Sequence, residues 1–146
     1  MTRSSRSHRP FLATLILALL IAAFPVSPAS AVTRTDTRYT YTSKKICPID
    51  WKQSTRMVKK LIRCAADYYG VNVDMALYVA KRESTFDPRA YNEATCAKGI
   101  YQHLCKYWPD RAYKYGFKGR SAYNGRANII VTMKMVRKYG WGAWGF

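Results

Sequence analysis

Glu83 is the residue of this chain best placed to move a proton. Over residues 73–83 the apolar positions Met75, Ala76, Val79 and Ala80 recur at the three- and four-residue spacing of one helix face. Glu83 takes the next position on that face, three after Ala80 and four after Val79. A carboxyl carried into an apolar setting keeps its proton, because desolvation disfavours the charged form. A group that is protonated at rest and able to give the proton up serves as a general acid. The same placement also suits a buried ion pair, with Lys81, Arg82 or a more distant arginine as partner. Acids are scarce: the chain has 8, and only Glu83 and Glu93 are glutamates. A hydrolase that flanks its bond with a pair of carboxylates would have to recruit Asp87 or Glu93. Asp87, before Pro88, reads equally as a turn former, and Glu93, beside Asn92, as wet surface.

The elements around Glu83 follow from the same periodicity. A helix is expected over 54–69, with Met57, Val58, Leu61, Ile62, Ala65, Tyr68 and Tyr69 on its apolar stripe and Lys59, Lys60 and Arg63 opposite. Ser54 or Thr55 can cap its start and Gly70 ends it. The helix bearing Glu83 follows over about 73–83, capped by Asn72 or Asp74, and Asp87-Pro88 breaks it. Residues 84–99 read as a loop. Ile100 to Leu104 read as a short strand or the entry to a helix. Tyr107 and Trp108 open an aromatic, lysine-rich connection running through Gly116 and Gly119. A last helix is expected over about 122–139, with Ile129, Met133, Val136 and Tyr139 as its stripe and Gly140 after it. The tail, Trp141-Gly142-Ala143-Trp144-Gly145-Phe146, is aromatic enough to pack back on the domain. Few segments alternate with period two, so the fold class is mainly α. A length of 146 residues allows one domain.

Residues 1–31 read as a secretory signal peptide. Arg3, Arg6 and Arg9 form a positive start, Phe11 to Phe24 an uncharged apolar run, and Ala29-Ser30-Ala31 a cleavage site. The run is shorter than the roughly 20 residues a spanning helix needs, so no stable membrane insertion is expected. Residues 32–46, rich in Thr, Arg and Tyr, read as a flexible leader in which Tyr39 and Tyr41 could form a short strand. The domain proper is then 47–146. The chain carries +17, or +14 once Arg3, Arg6 and Arg9 leave with the signal peptide. Such a charge favours anionic partners. Export argues against nucleic acid and for the anionic polymers of a bacterial cell wall. Four cysteines in an exported chain read as two disulfides with three possible pairings. The local one, Cys47–Cys64 with Cys96–Cys105, is favoured, and each bridge contributes roughly 3 kcal/mol in the loop-entropy picture. Cys96, Cys105 and His103 could instead hold zinc, but no C-x-x-C pair is present and the compartment is oxidising. No metal and no cofactor is therefore expected, and the chain is expected to be a monomer.

From Glu83 the sequence runs Glu83-Ser84-Thr85-Phe86-Asp87-Pro88-Arg89-Ala90, followed by Gly99-Ile100-Tyr101-Gln102. These segments resemble the soluble lytic transglycosylase family, with its E-S-x-F-x-P-x-A block and later G-L-x-Q. Asn128-Ile129 is similar to the family's N-I at the head of a core helix. His103, Leu104, Trp108 and the Gly140-Trp141…Trp144 ending look closest to short secreted actinobacterial members. The resemblance covers about 70–146. It implies a lysozyme-like single domain with a glycan-binding groove, acting on peptidoglycan strands outside the cell in association with the wall. It makes Glu83 the single acid/base for the β-1,4 bond between N-acetylmuramic acid and N-acetylglucosamine, with a 1,6-anhydro product. By the same resemblance Ser84, next to Glu83, helps orient it, and Gln102 contacts sugar. Tyr101 could stack on a sugar or pack. Asn128 joins Ser84, Tyr101 and Gln102 among the substrate-binding positions. Phe86 is expected in the core. One departure stands out. The family's late A-Y-N-x-G segment, whose Tyr helps hold the catalytic Glu, follows the N-I helix, whereas Ala122-Tyr123-Asn124-Gly125 precedes Asn128-Ile129 here. Tyr139 and Trp141 are the candidates for the missing side chain. Hydrolysis on the same scaffold, as in goose-type lysozymes, and a non-catalytic cationic wall-binding protein are the competing readings.

Overall fold

In a computed structural model of the chain, residues 46–146 are described. The expected signal peptide, residues 32–45 of the expected leader, and the candidate strand at Tyr39 and Tyr41 lie outside the described residues. Ile46, the last residue assigned to the leader, packs against the core.

The domain is mainly helical. Helix α1 spans Thr55–Tyr69 and α2 spans Val73–Ser84. The three two-residue strands are β1 (Tyr91–Asn92), β2 (Ala97–Lys98) and β3 (His103–Leu104). Helix α3 spans Trp108–Lys114, α4 spans Gly125–Tyr139, and a 3-10 turn covers Gly142–Trp144. The strands form an antiparallel sheet in the order β1-β2-β3, with Asn92 opposite Ala97 and Lys98 opposite His103. Among the described residues no helix is long and apolar enough to cross a membrane.

Local chemistry explains the helix ends. The Ser54 hydroxyl accepts from Met57 N and Gly70 adopts the left-handed conformation at the other end of α1. Asn72 accepts from Met75 N at the start of α2, and Asn124 accepts from Ala127 N at the start of α4. Asn124 sets that start, so α4 begins three residues later than the stripe suggested.

Helix α4 is the centre of the fold. From Ala127 to Met133 every residue is buried, on all sides of the helix, as expected for a helix enclosed by neighbours. Helix α1 packs on α4 and α2, and α3 packs on α4. Tyr139, read as part of the core stripe, is 58% exposed; enclosure of α4 stops at Val136, one turn earlier. Residues 84–99 contain the β1–β2 hairpin rather than plain loop, and the aromatic connection contains α3, which opens with Pro109 in its first turn. Phe86 is buried, as expected.

The cysteines pair locally. Cys47–Cys64 ties the entering chain to α1, and Cys96–Cys105 closes the sheet from the β1–β2 turn to the end of β3. With both sulfurs in a disulfide, the Cys96, Cys105 and His103 zinc alternative is closed.

Candidate active site

Glu83 sits in the last turn of α2. A carboxylate there opposes the helix dipole, which favours cations such as Lys81 and Arg82 at that end. The chain then turns through two consecutive left-handed residues, Thr85 (φ 52°) and Phe86 (φ 68°). That conformation costs side chains with a Cβ, above all a β-branched one. So the segment that presents Glu83 is locally unfavourable twice, in charge and in backbone, and the fold holds it regardless.

Glu83 lines a cleft of about 530 Å³ together with Arg82, Asn92, Gln102, Arg111 and Trp144. Thr95 and Ala97 of the hairpin, Leu104 and Ala143 complete the lining. The apolar seat expected for the carboxyl is not what the structure shows. The Glu83 side chain is 22% exposed and pairs with its neighbour: Arg82 Nη2 and Nε donate to Glu83 Oε1 at 2.7 and 3.1 Å. The ion-pair alternative and the open cleft are therefore both present. Both Arg82 contacts fall on Oε1, which leaves Oε2 outside the ion pair.

Adjacent residues on a helix do not normally face each other. Arg82 does so because the C-terminal tail holds its guanidinium. Arg82 Nη2 also donates to the Trp144 carbonyl at 2.5 Å, and the guanidinium lies 4.1 Å from the centre of the Phe146 ring. Phe146 in turn meets Tyr78 of α2 edge-on. Trp144 is anchored by its own indole, which donates to the Tyr101 carbonyl at 2.9 Å. The candidates for the missing family tyrosine do not reach this place. Tyr139 accepts a hydrogen bond from Lys114 at the exposed end of α4, and Trp141 packs on Tyr101 and Trp144.

The expected substrate-binding residues divide. Gln102 lines the cleft; its Nε2 donates to the Gly99 and Ala90 carbonyls at 2.9 and 3.3 Å, leaving its amide oxygen for a ligand. Its backbone is also left-handed, at φ 48°. Ser84 is turned into the protein, where its hydroxyl donates to the Ile100 carbonyl at 2.8 Å and so bolts α2 to the sheet segment. Tyr101, open in the sequence between stacking on a sugar and packing, packs, and is corrected from a substrate-binding to a core residue: it has no exposed surface and its hydroxyl donates to the Ala76 carbonyl at 2.9 Å. Burial also raises the pKa of that hydroxyl well above its ordinary value. Asn128 is corrected likewise. It is wholly buried, accepts from Tyr101 N at 2.9 Å and donates to the Ala122 and Lys98 carbonyls at 2.9 and 3.2 Å. A Cβ at Gly99 (φ 78°) would strike the Ala122 carbonyl and the Asn128 amide, so this crossing needs glycine.

His103 belongs to the same buried network. Arg111 Nη1 donates to His103 Nδ1 at 3.0 Å, which assigns the ring proton to Nε2 and its bond to Thr132 Oγ1 at 2.8 Å. Thr132 passes the chain on to the Asn128 carbonyl. Burial first, and the Arg111 charge second, lower the His103 pKa to about 3.

Neither Asp87 nor Glu93 lines the cleft. Asp87 accepts from Arg89 N and faces a separate groove with Trp51 and Tyr123, and Glu93 is exposed in the hairpin turn. Among the described residues Glu83 is the one carboxylate of the cleft. Sequence reasoning missed Arg111, Asn92, Thr95 and Ala143 in the lining. It named Arg82 as a partner for Glu83 but not the tail that holds it. Among the described residues no cluster of three or more potential metal ligands occurs.

The sequence model of the family described as Transglycosylase SLT domain matches residues 60–139, more than half of the chain. The match runs from within α1 to the end of α4 and stops before the tail. No curated protein and no solved structure matches the chain.

Proposed function

Since this chain belongs to the transglycosylase SLT domain family, whose members cleave peptidoglycan, we propose that it is an exported enzyme that cuts the β-1,4 bond between N-acetylmuramic acid and N-acetylglucosamine with Glu83 as its acid and base. One observation supports the reading: among the described residues a single carboxylate, Glu83, lines the cleft, and the two other candidate acids lie elsewhere. Two-carboxylate hydrolysis needs a second acid across the bond. Ring closure needs one group used twice. Glu83 Oε2 gives its proton to the glycosidic oxygen as the bond to the muramyl C1 breaks. The muramyl acetamido group stabilises the oxocarbenium-like centre. The Glu83 carboxylate then takes the proton of the C6 hydroxyl, whose oxygen closes on C1 as the 1,6-anhydro ring. Glu83 ends protonated, as it began, and no water is consumed.

Arg82 supports this sequence by fixing the orientation of the Glu83 carboxyl through Oε1, and the Gln102 amide oxygen offers the sugar a fixed acceptor. The signal-like start, the two disulfides and the +17 charge support export to an anionic wall.

Glu83→Gln is the deciding variant. It keeps an oxygen for Arg82 but cannot cycle a proton. Release of muropeptides from purified peptidoglycan should fall by at least a hundredfold, while the melting temperature holds. Undiminished wall clearing by this variant would mean a cationic binder rather than an enzyme. Mass spectrometry of the wild-type products separates the enzymatic outcomes, since the anhydro product is lighter than the hydrolysed one by one water.

A further inference from the structure

The cleft contains a second guanidinium whose charge no carboxylate among the described residues answers. Arg111, from the middle of α3, is half-buried and lines the same cleft as Glu83 and Gln102. Its Nη1 is committed to His103 Nδ1, and the guanidinium lies 5.2 Å from the centre of the Tyr107 ring. These contacts fix its direction without neutralising it, because His103 is uncharged. Among the described residues no carboxylate stands within ion-pair distance of Arg111. Removing a cation from water without a counter-charge is unfavourable, and burial lowers the Arg111 pKa accordingly. Elsewhere in the cleft Arg82 and Glu83 cancel each other, and Asn92, Thr95 and Gln102 are neutral. The net charge of the cleft is therefore that of Arg111.

We infer that Arg111 is a subsite for a carboxylate of the glycan, so that the cleft selects sugars carrying an acidic substituent over neutral ones. With Nη1 engaged by His103, the Nε and Nη2 edge is the one that can meet two carboxylate oxygens in parallel. Peptidoglycan offers this chemistry from two sources. A muramyl unit without a peptide bears a free lactyl carboxylate, and a unit with a peptide bears the carboxylates of the stem. The inference rests on the cleft being the glycan site, but not on Glu83 being the proton carrier.

The test is equilibrium binding by calorimetry at one fixed salt concentration, in the Glu83→Gln background so that the ligand survives. The ligands are muramyl tetrasaccharides without and with stems, each as the free acid and as its methyl ester. Adding Arg111→Met should weaken binding of the acid roughly tenfold, as expected for loss of a charge-assisted pair, and leave the ester within about twofold. Lys60→Met, on the exposed face of α1, removes a charge that does not line the cleft and should leave the acid-over-ester preference unchanged. A larger drop on the stem-free acid assigns the lactyl carboxylate; a larger drop on the stem-bearing acid assigns the stem. Equal weakening of acid and ester, or no weakening of either, would overturn the subsite and leave Arg111 as a support of His103. Should Arg111→Met fail to fold, Arg111→Lys keeps the charge without the fork. It should cut the acid-over-ester preference at least about threefold, and an unchanged preference would overturn the subsite too. If Glu83→Gln still cleaves peptidoglycan, the proposed acid/base role fails, while the acid-over-ester comparison still decides Arg111.

Discussion

Glu83 on the cleft wall and Asn128 in the core both come from segments that resemble one family, yet the fold uses them in opposite ways. Glu83 is partly exposed, sits at the wrong end of a helix dipole and is held by a single neighbouring cation. Asn128 has no exposed surface and each of its amide atoms is bonded, to Tyr101 N, Ala122 O and Lys98 O. The difference teaches how to read such motifs. A residue can recur at a fixed place because the reaction needs it or because the backbone around the reaction needs it, and residue type does not distinguish the two. Hydrogen-bond accounting does. Buried polar atoms with complete partners build the scaffold, whereas a charged atom with a free lone pair facing a cleft is available for chemistry.

The largest effect that could break this comparison is expected from Asn128→Leu. The change leaves Tyr101 N–H, Lys98 C=O and Ala122 C=O without partners in a sealed interior, at about 1–3 kcal/mol for each. Denaturant unfolding should show a loss above about 3 kcal/mol, with cleavage per folded molecule retained. Glu83→Gln should do the reverse. If Asn128→Leu instead kept its stability and lost affinity for glycan, the division between scaffold and site would be wrong at this residue.

His103 sharpens the same contrast through pH. Its folded pKa, about 3, lies below the ordinary value of 6.5. As pH falls below about 6.5 the unfolded chain takes up a proton that the folded chain refuses. Stability that is complete above that pH is therefore lost progressively down to about pH 3, by up to about 1.4 kcal/mol for each pH unit. Unfolding measured at pH 7 and pH 5 should show this loss in wild type and a smaller one in His103→Gln. Equal losses in the two proteins would place the acid sensitivity elsewhere.

What the sequence made legible follows from the range of the interactions involved. Helix α1 was readable because its stripe, its Ser54 cap and its Gly70 stop all lie within one short window. Helix α3 was not, since seven residues are too few for a stripe and its aromatic and lysine residues mask the pattern. The Glu83 position was readable from Val79 and Ala80 alone. Its surroundings were not, because Arg82 is aimed by Trp144 and Phe146, residues brought in from the far end of the chain. Tyr101 and Asn128 were misassigned for the same reason: their partners at Ala76, Lys98 and Ala122 come from three different elements or connections.

The tail gives a smaller effect. Arg82→Met removes both bonds to Glu83 Oε1 and the bond to the Trp144 carbonyl. Arg82 is 40% exposed, so the melting temperature should change little. With the carboxyl no longer aimed, kcat should fall roughly tenfold with KM nearly constant. Deleting Phe146 removes only the ring under the guanidinium and should give a fraction of that loss. A rise in KM at constant kcat would instead make Arg82 a sugar contact rather than a positioning residue.

The smallest effect concerns the turn that follows Glu83. Thr85 is β-branched, holds φ at 52° and caps α2 with its backbone N–H donating to the Ala80 and Lys81 carbonyls. Glycine reaches this conformation without the Cβ clash, though it enlarges the freedom of the unfolded chain, so the gain is the difference of two opposed terms. Thr85→Gly should stabilise the domain by about 1 kcal/mol or less, read by denaturant unfolding, because strain relief at a left-handed β-branched residue outweighs the added chain entropy. The activity readout then decides what the strain is for. If the turn serves only to end the helix, kcat stays at the wild-type level as stability rises. If the stiffness of Thr85 helps hold Glu83 in the cleft lining beside Gln102, kcat falls while stability rises, and the boundary between scaffold and site moves two residues past the acid.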